Sequence, residues 1–243
     1  MVTPFQLGNT IIQARSEQRS GAPLTMVNVH DDENTAVQAG VANIEKYGGR
    51  VIELVHSGER LITFSLGEER FVFDPNRMFS DRGIEATLLR HSTYSEAAQA
   101  AIREFATAYL RQFELDSEKV LVALHNVTEG FFSVEAFLPG EYLSADAAAV
   151  HVSPRHSRFD FFFVTQADHY EWLKQRDFNV VLQDNERVED DGSLSVYCAQ
   201  KGIPYLNVEA HVEHLREQLA LLEAVRELLG HPSKATPVTG VNA

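Results

Sequence analysis

A buried strand followed by a helix is predicted by the stretch Thr25-Met26-Val27-Asn28-Val29-His30-Asp31-Asp32-Glu33-Asn34-Thr35. If residues 25–30 form the strand, His30 lies at its C-terminal end, on the edge of an open α/β sheet where ligands usually bind. If Asn34 opens the helix, Glu33 lies in the turn between strand and helix. An imidazole and a carboxylate in these positions can converge on one metal ion, and zinc accepts both kinds of ligand.

Two later strand ends can complete such a site. His125 ends the apolar run KVLVALH, and Glu209 ends the run PYLNVE. Together with His30 and Glu33, His125 gives a His–Glu–His ligand set that leaves one zinc position for water. Glu209 would face the same sheet edge, where it can act as general base and then as general acid.

Arginine and asparagine residues lie at the start of the short strand predicted at 70–73 and shortly after it. Arg70 begins this strand, and Asn76-Arg77 follows it. The planar guanidinium of arginine suits bidentate recognition of a carboxylate. It also suits stabilisation of an oxyanion that develops on a scissile carbonyl.

Composition narrows the class of partner. The chain has 243 residues, 44% of them hydrophobic, which favours one α/β domain with a full core, although two small domains would also fit. The net charge of −14 argues against nucleic acid and anionic membranes as partners, because both require a basic face. A small anionic substrate held by a few local arginines remains compatible with this charge.

The sequence also predicts a cytoplasmic location. Cys198 is the one cysteine, so no intrachain disulfide can form. Residues 1–21 lack the apolar segment of a signal peptide, and no run approaches the roughly 20 apolar residues of a membrane helix.

Apolar patterning predicts strands that alternate with helices. We expect strands at 25–30, 50–56, 61–66, 70–73, 119–125, 159–164, 179–182 and 204–209. We expect helices at 36–47, 94–113, 167–175, 193–201 and 210–229, with irregular chain at 74–83 and 126–158. This alternation indicates an α/β fold: a single domain with a mostly parallel or mixed central sheet and helices on both faces.

The domain is expected to occupy residues 25–230. Residues 1–24 are interpreted as a loosely structured lead-in, and residues 231–243, rich in Pro, Thr and Gly, as a disordered tail. The charges of 213–228 are interpreted as a solvated helix face.

Four motifs resemble, in the same order, those of the zinc carboxypeptidase superfamily: His30-x-x-Glu33, Asp74-Pro75-Asn76-Arg77-Met78-Phe79, Leu124-His125-Asn126 and Asn207-Val208-Glu209. Their wording is most similar to the aspartoacylase/succinylglutamate desuccinylase branch, in which H-G-N-E, D-L-N-R-x-F, D-L-H-N-T-T and a late E-V-G occur in this order. The resemblance covers roughly residues 25–210, as separate islands.

The resemblance implies a role for each matching residue. One zinc ion per chain would be bound by His30, Glu33 and His125, and Glu209 would be the general base. On the substrate side, it implies that Asn76 and Arg77 hold a free carboxylate and that Arg70 polarises the scissile carbonyl.

The sequence departs from the branch at several of these positions. Asp31-Asp32 follows His30 in place of Gly-Asn, which places more negative charge beside the metal. Pro75 replaces the Leu of the second motif, and Ala210 follows Glu209 in place of Val-Gly. Arg70 lies one residue nearer the Asn-Arg pair than in aspartoacylases.

The first functional hypothesis is therefore a zinc-dependent hydrolase that cleaves an amide bond near a free carboxylate. Its substrate would be a short peptide or an N-acyl amino acid. Two alternatives stay open: a catalytically inactive metal- or ligand-binding protein on the same fold, or an ordinary α/β domain in which His30 and His125 never meet.

For the other polar residues, surface or structural roles are expected. His211 and His214, three residues apart on a predicted helix, suggest a second metal site only weakly. Arg155 and Arg158 could reach an anionic substrate from the irregular 139–158 segment.

Overall fold

The apolar runs form a large mixed β-sheet in a computed structural model, which describes residues 1–128, 130 and 132–231. Its strands are β1 (Val2–Leu7), β2 (Thr10–Arg19), β3 (Thr25–Asn28), β4 (Gly49–Val55), β7 (Leu121–Val127), β8 (Ala147–His151), β9 (Phe161–Val164), β10 (Val180–Gln183) and β11 (Tyr205–His211), while β5 (Ile62–Leu66) and β6 (Glu69–Phe73) form a separate antiparallel pair. Within the described residues the order across the large sheet is β1-β2-β4-β3-β7-β11-β9-β10-β8.

The centre of the sheet is parallel. Strands β4, β3, β7 and β11 all run the same way, and β3 and β7 are buried along their whole length. Strands buried on both faces read as continuous apolar runs, which is why 25–30 and 119–125 were recognisable in the sequence. Antiparallel pairing of β9 with β11 makes the sheet mixed, as expected.

Helices cover both faces, which confirms the predicted α/β class. The described helices are α1 (Asn34–Tyr47), α2 (Asp81–His91), α3 (Glu96–Gln112), α4 (Ala167–Gln175), α5 (Leu194–Lys201) and α6 (Leu215–Leu228). One core layer packs α1, α4 and α6 on one face of the central strands, and the other packs α2, α3 and α5 on the opposite face. None of these helices is long and apolar enough to cross a membrane.

The expectation of a loosely structured lead-in at 1–24 is wrong. β1 and β2 form a hairpin, and β2 pairs antiparallel with β4, which extends the sheet. Ile12 and Ala14 alternate with exposed residues and are fully buried, a period-two pattern typical of a strand with one covered face. Gly8 turns the hairpin at φ 56°, where an added Cβ would lie 2.2 Å from the backbone oxygen of Ser65.

Three further differences separate the observed elements from the predicted ones. Helix α2 was not predicted: residues 81–83 belong to the expected irregular segment 74–83, and residues 84–91 were assigned to no element. The helix begins where the hydroxyl of Ser80 accepts a hydrogen bond from the Gly83 amide. Strand β8 lies inside the segment predicted to be irregular. Helix α6 begins at Leu215 rather than at 210, because β11 continues to His211. All but the first residue of the predicted tail, 231–243, lies outside the described residues.

Candidate metal centre and active site

Three buried side chains meet at the carboxyl edge of the parallel strands. His30 follows β3, Glu33 lies in the turn before α1, and His125 is in β7, the neighbour of β3. Nδ1 of His30 lies 2.9 Å from Oε1 of Glu33, and Nδ1 of His125 lies 2.9 Å from Oε2 of the same carboxylate. The two ring nitrogens are 3.3 Å apart. The predicted trio is therefore brought together.

Neighbouring polar groups fix the orientation of the trio. Asp74 contacts the other ring nitrogen of His30, with 2.8 Å between Oδ1 and Nε2. The side-chain amide of Asn28 donates to Glu33 Oε2 at 3.0 Å and to the Leu124 carbonyl at 2.9 Å. Carboxylates that hold the second nitrogen of a histidine are the usual support of metal-binding imidazoles.

Electrostatic interactions in this cluster favour the charged forms of Glu33 and His30. Burial alone would raise the pKa of Glu33, but His30 and His125 hold it well below its usual range. Burial alone would lower the pKa of His30, but the carboxylates of Glu33 and Asp74 raise it above its ordinary value. In the protein without metal, these carboxylates are thus charged, and a cation can replace the proton that His30 carries.

The donor set fits zinc. Two imidazole nitrogens and a carboxylate are the ligand types that catalytic zinc sites combine with one open position. Among the described residues, His30, Glu33 and His125 are the one group of three whose ligand atoms all lie within 4.8 Å of one another.

Glu209 lies beside this trio but is not part of it. It is the register partner of His125 on the adjacent strand β11 and is 5% exposed. Asn207 donates to its Oε1 at 2.9 Å, whereas its Oε2 has no hydrogen-bond partner in the described part of the chain. Burial raises its pKa. A carboxylate with a free oxygen and a raised pKa is suited to take up and return a proton.

A cavity of about 480 Å³ joins these residues to the predicted substrate-binding pair. Its lining includes Glu33, His125, Glu209, Asn76 and Arg77. The 3₁₀ turn Pro75–Arg77 presents the last two. The Asn76 side-chain oxygen accepts from the Leu194 amide at 3.1 Å, and the Arg77 guanidinium is about one-third exposed, 3.5 Å from Asp191.

Arg70 is not brought into this cavity. It lines a neighbouring cleft of about 1100 Å³, which it shares with Arg60 and Arg77. Arg60 lines both spaces and places Nη1 2.8 Å from Oε1 of Glu33. Sequence reasoning missed Arg60, although it follows β4, the strand next to β3, and so belongs to the same sheet edge.

The loop that carries Arg60 is held by Asp31. Oδ2 of Asp31 accepts three backbone N–H groups, from His56 at 2.6 Å, Ser57 at 2.8 Å and Gly58 at 2.7 Å. The residue after His30 is therefore an anchor for this loop, and its charge is compensated by three donors.

The remaining sequence candidates are engaged elsewhere. His214 contacts both oxygens of Asp160 through Nδ1 at 2.9 Å, and the His211 amide donates to the same carboxylate. Arg155 pairs with Asp177 at 2.6 Å, and Arg158 pairs with Glu135 at 3.0 Å. These contacts give each of them a structural partner.

No protein-family model matches the chain, and no curated protein sequence matches it. Several solved structures are similar to it. A gene product from Agrobacterium tumefaciens is 11% identical, with a TM-score of 0.49, 89% of this chain covered and 93% of the other. Thrombin activatable fibrinolysis inhibitor is 12% identical, with a TM-score of 0.49 and coverage of 97% and 70%. A succinylglutamate desuccinylase/aspartoacylase from Rhodobacter sphaeroides is 13% identical, with a TM-score of 0.42 and coverage of 93% and 63%.

Proposed function

We propose that the chain is a zinc-dependent hydrolase that cleaves an amide or peptide bond near a free carboxylate. The observation that carries the proposal is the convergence of His30, Glu33 and His125 beside the buried Oε2 of Glu209, which has no hydrogen-bond partner among the described residues. Zinc held by the trio would supply Lewis acidity and lower the pKa of a water molecule.

Each residue around the cavity then has one task. Glu209 accepts a proton from the attacking water through Oε2 as the new carbon–oxygen bond forms, and then delivers it to the leaving nitrogen as the carbon–nitrogen bond breaks. Its raised pKa favours the second half of this transfer. Asn207 keeps the carboxylate in place through Oε1.

The substrate's free carboxylate is assigned to Arg77 and Asn76, at the mouth of the cavity. Arg77 is oriented by its 2.7 Å hydrogen bond to the Asn76 carbonyl and retains exposed donors. Arg60 is better placed than Arg70 to polarise the scissile carbonyl, because it lies against Glu33 in the cavity itself. Short peptides and N-acyl amino acids both carry an amide bond near a free carboxylate, so both classes of substrate fit these contacts.

The experiment is a screen of zinc-loaded protein against N-acyl amino acids and short peptides, with Glu209→Gln as the matched variant. We expect hydrolysis by the wild type and a rate loss on the order of 10²- to 10⁴-fold in the variant, with its zinc content unchanged. Zinc retention together with an absence of turnover in the wild type would favour the inactive metal-binding alternative.

A further inference from the structure

Strands β9 and β10 and the segment before β8 contribute a further part of the cavity lining. Phe132, Phe137 and Phe163 form its apolar wall, with the rings of Phe137 and Phe163 5.3 Å apart. Gln183, at the end of β10, lines the same space and is 2% exposed. A buried glutamine needs polar partners, because an unpaired amide away from water is costly.

The orientation of the Gln183 amide follows from its neighbours. The Thr165 carbonyl can only accept, so Asn185 must turn its NH₂ group toward it, at 2.8 Å. The Asn185 oxygen then faces Gln183, which donates its own NH₂ group to it at 2.9 Å. The group left over is the Gln183 oxygen Oε1, a buried acceptor that has no partner within the described residues.

Asn207, in β11, lines the same cavity and presents the same arrangement. Its NH₂ group is used by Oε1 of Glu209, which leaves its Oδ1 buried and without a partner among residues that the structure describes. Asp146 adds a carboxylate to the lining. The basic residues Arg60 and Arg77 also line the cavity, so anionic and cationic ends of a ligand would find different partners in it.

We propose that Gln183 and Asn207 form a specificity pocket that receives the substrate's side chain and selects one with an apolar stem and a hydrogen-bond donor at its tip. This inference rests on the proposed function, which places the substrate's free carboxylate at Arg77. An amide NH₂ or an ammonium tip carries enough N–H groups to donate to both oxygens, which have no partner among the described residues. A carboxylate tip of the same shape faces those oxygens and Asp146 with no proton to donate.

The most direct test uses isosteric substrates: N-acyl glutamine against N-acyl glutamate, and peptides ending in glutamine against those ending in glutamate. In the zinc-loaded wild type, we expect kcat/KM to favour glutamine on the order of 100-fold, because a site built to hydrogen-bond a substrate group discriminates strongly against an analogue that lacks it. In Gln183→Leu this preference should fall to within about threefold. Gln200→Leu, the same change at an exposed position of α5, should retain it.

Binding of free glutamine and free glutamate, measured by calorimetry on wild-type protein, separates this inference from the proposed function. Tighter binding of glutamine supports the pocket even if no substrate is turned over. Equal or better use of glutamate by an active wild type overturns the pocket and leaves the hydrolase standing. Binding of neither amino acid at millimolar concentration also overturns it. Because the wild-type comparison needs no mutant, failure of Gln183→Leu to fold does not affect the result.

Discussion

Nδ1 of His30 and Nδ1 of His125 lie 3.3 Å apart although 95 residues separate them in the chain. Both rings are buried and both point at the carboxylate of Glu33. Adjacent parallel strands β3 and β7 bring them to the same sheet edge. Each ring nitrogen contacts its own oxygen of that carboxylate, and the three side chains together offer nitrogen and oxygen donors that one metal ion could share.

Asp74→Asn is expected to weaken zinc binding. Asp74 holds Nε2 of His30 at 2.8 Å, and removing its charge leaves the imidazole less basic and less firmly oriented. Loss of such a supporting group typically costs about 10- to 100-fold in metal affinity. Competition with a chromophoric chelator measures the zinc Kd of both proteins. An unchanged Kd would mean that Asp74 does not support the ligand.

Arg60→Ala and Arg70→Ala are expected to differ. Arg60 lies in the cavity against Glu33, so its loss should lower kcat/KM by about 10²- to 10³-fold, as for removal of one oxyanion-stabilising donor. Arg70 lies in the outer cleft, so its loss should cost less than about 10-fold. Zinc content must be equal in both variants. A larger loss in Arg70→Ala would return the polarising role to Arg70.

Cys198 is expected to resist alkylation in the folded protein. The thiol is 1% exposed, and burial, together with the nearby Asp116, raises its pKa from 9.0 to about 12. That rise reduces the reactive thiolate near neutral pH about a thousandfold, and the thiol deprotonates in the fold only as the pH approaches 12. Mass spectrometry after iodoacetamide treatment at pH 8, with and without denaturant, measures the difference. Rapid labelling of the native protein would contradict the burial.

Arg226→Leu is expected to destabilise the fold by about 3 kcal/mol, because buried acceptors lose their donors. The Arg226 guanidinium donates to Asn43 at 2.8 Å, to the Gly48 carbonyl at 2.7 Å and to the Ala22 carbonyl at 3.2 Å. These bonds tie α6 to the end of α1 and to the segment before β3. Denaturant unfolding monitored by circular dichroism gives the free energy. Glu227→Gln, on the same helix, is the control and should change it little. A loss below about 0.5 kcal/mol in Arg226→Leu would show that the network is not structural.

Arg226 also shows where sequence patterning fails. The charges of 213–228 were interpreted as a solvated face, yet Arg226 is fully buried. Periodicity identifies which residues share a face of a helix. The acceptors that allow the Arg226 guanidinium to be buried come from Ala22, Asn43 and Gly48, which are distant in the chain. Because these partners are remote in sequence, the residues around Arg226 give no sign that its charge is buried.

The convergence of His30, Glu33 and His125 was predictable because its signal is local in the sequence. His30 and His125 each end a continuous apolar run, and parallel strands bring their carboxyl ends to one edge. Arg60 was not predictable in this way because it lies in a loop whose course is set by Asp31, through bonds to the backbone of His56, Ser57 and Gly58. The Gln183 pocket was missed as well, since its character depends on the chain of amides through Asn185 to Thr165.

The metal centre is tested most directly by the metal content of purified wild type beside His30→Ala and His125→Ala, measured by mass spectrometry after zinc is offered and excess metal removed. We expect about one zinc per chain in the wild type and its loss in both variants, with circular dichroism confirming that each variant is folded. A wild type that retains no zinc, or folded variants that retain as much as the wild type, would contradict the metal centre and the hydrolase proposed from it.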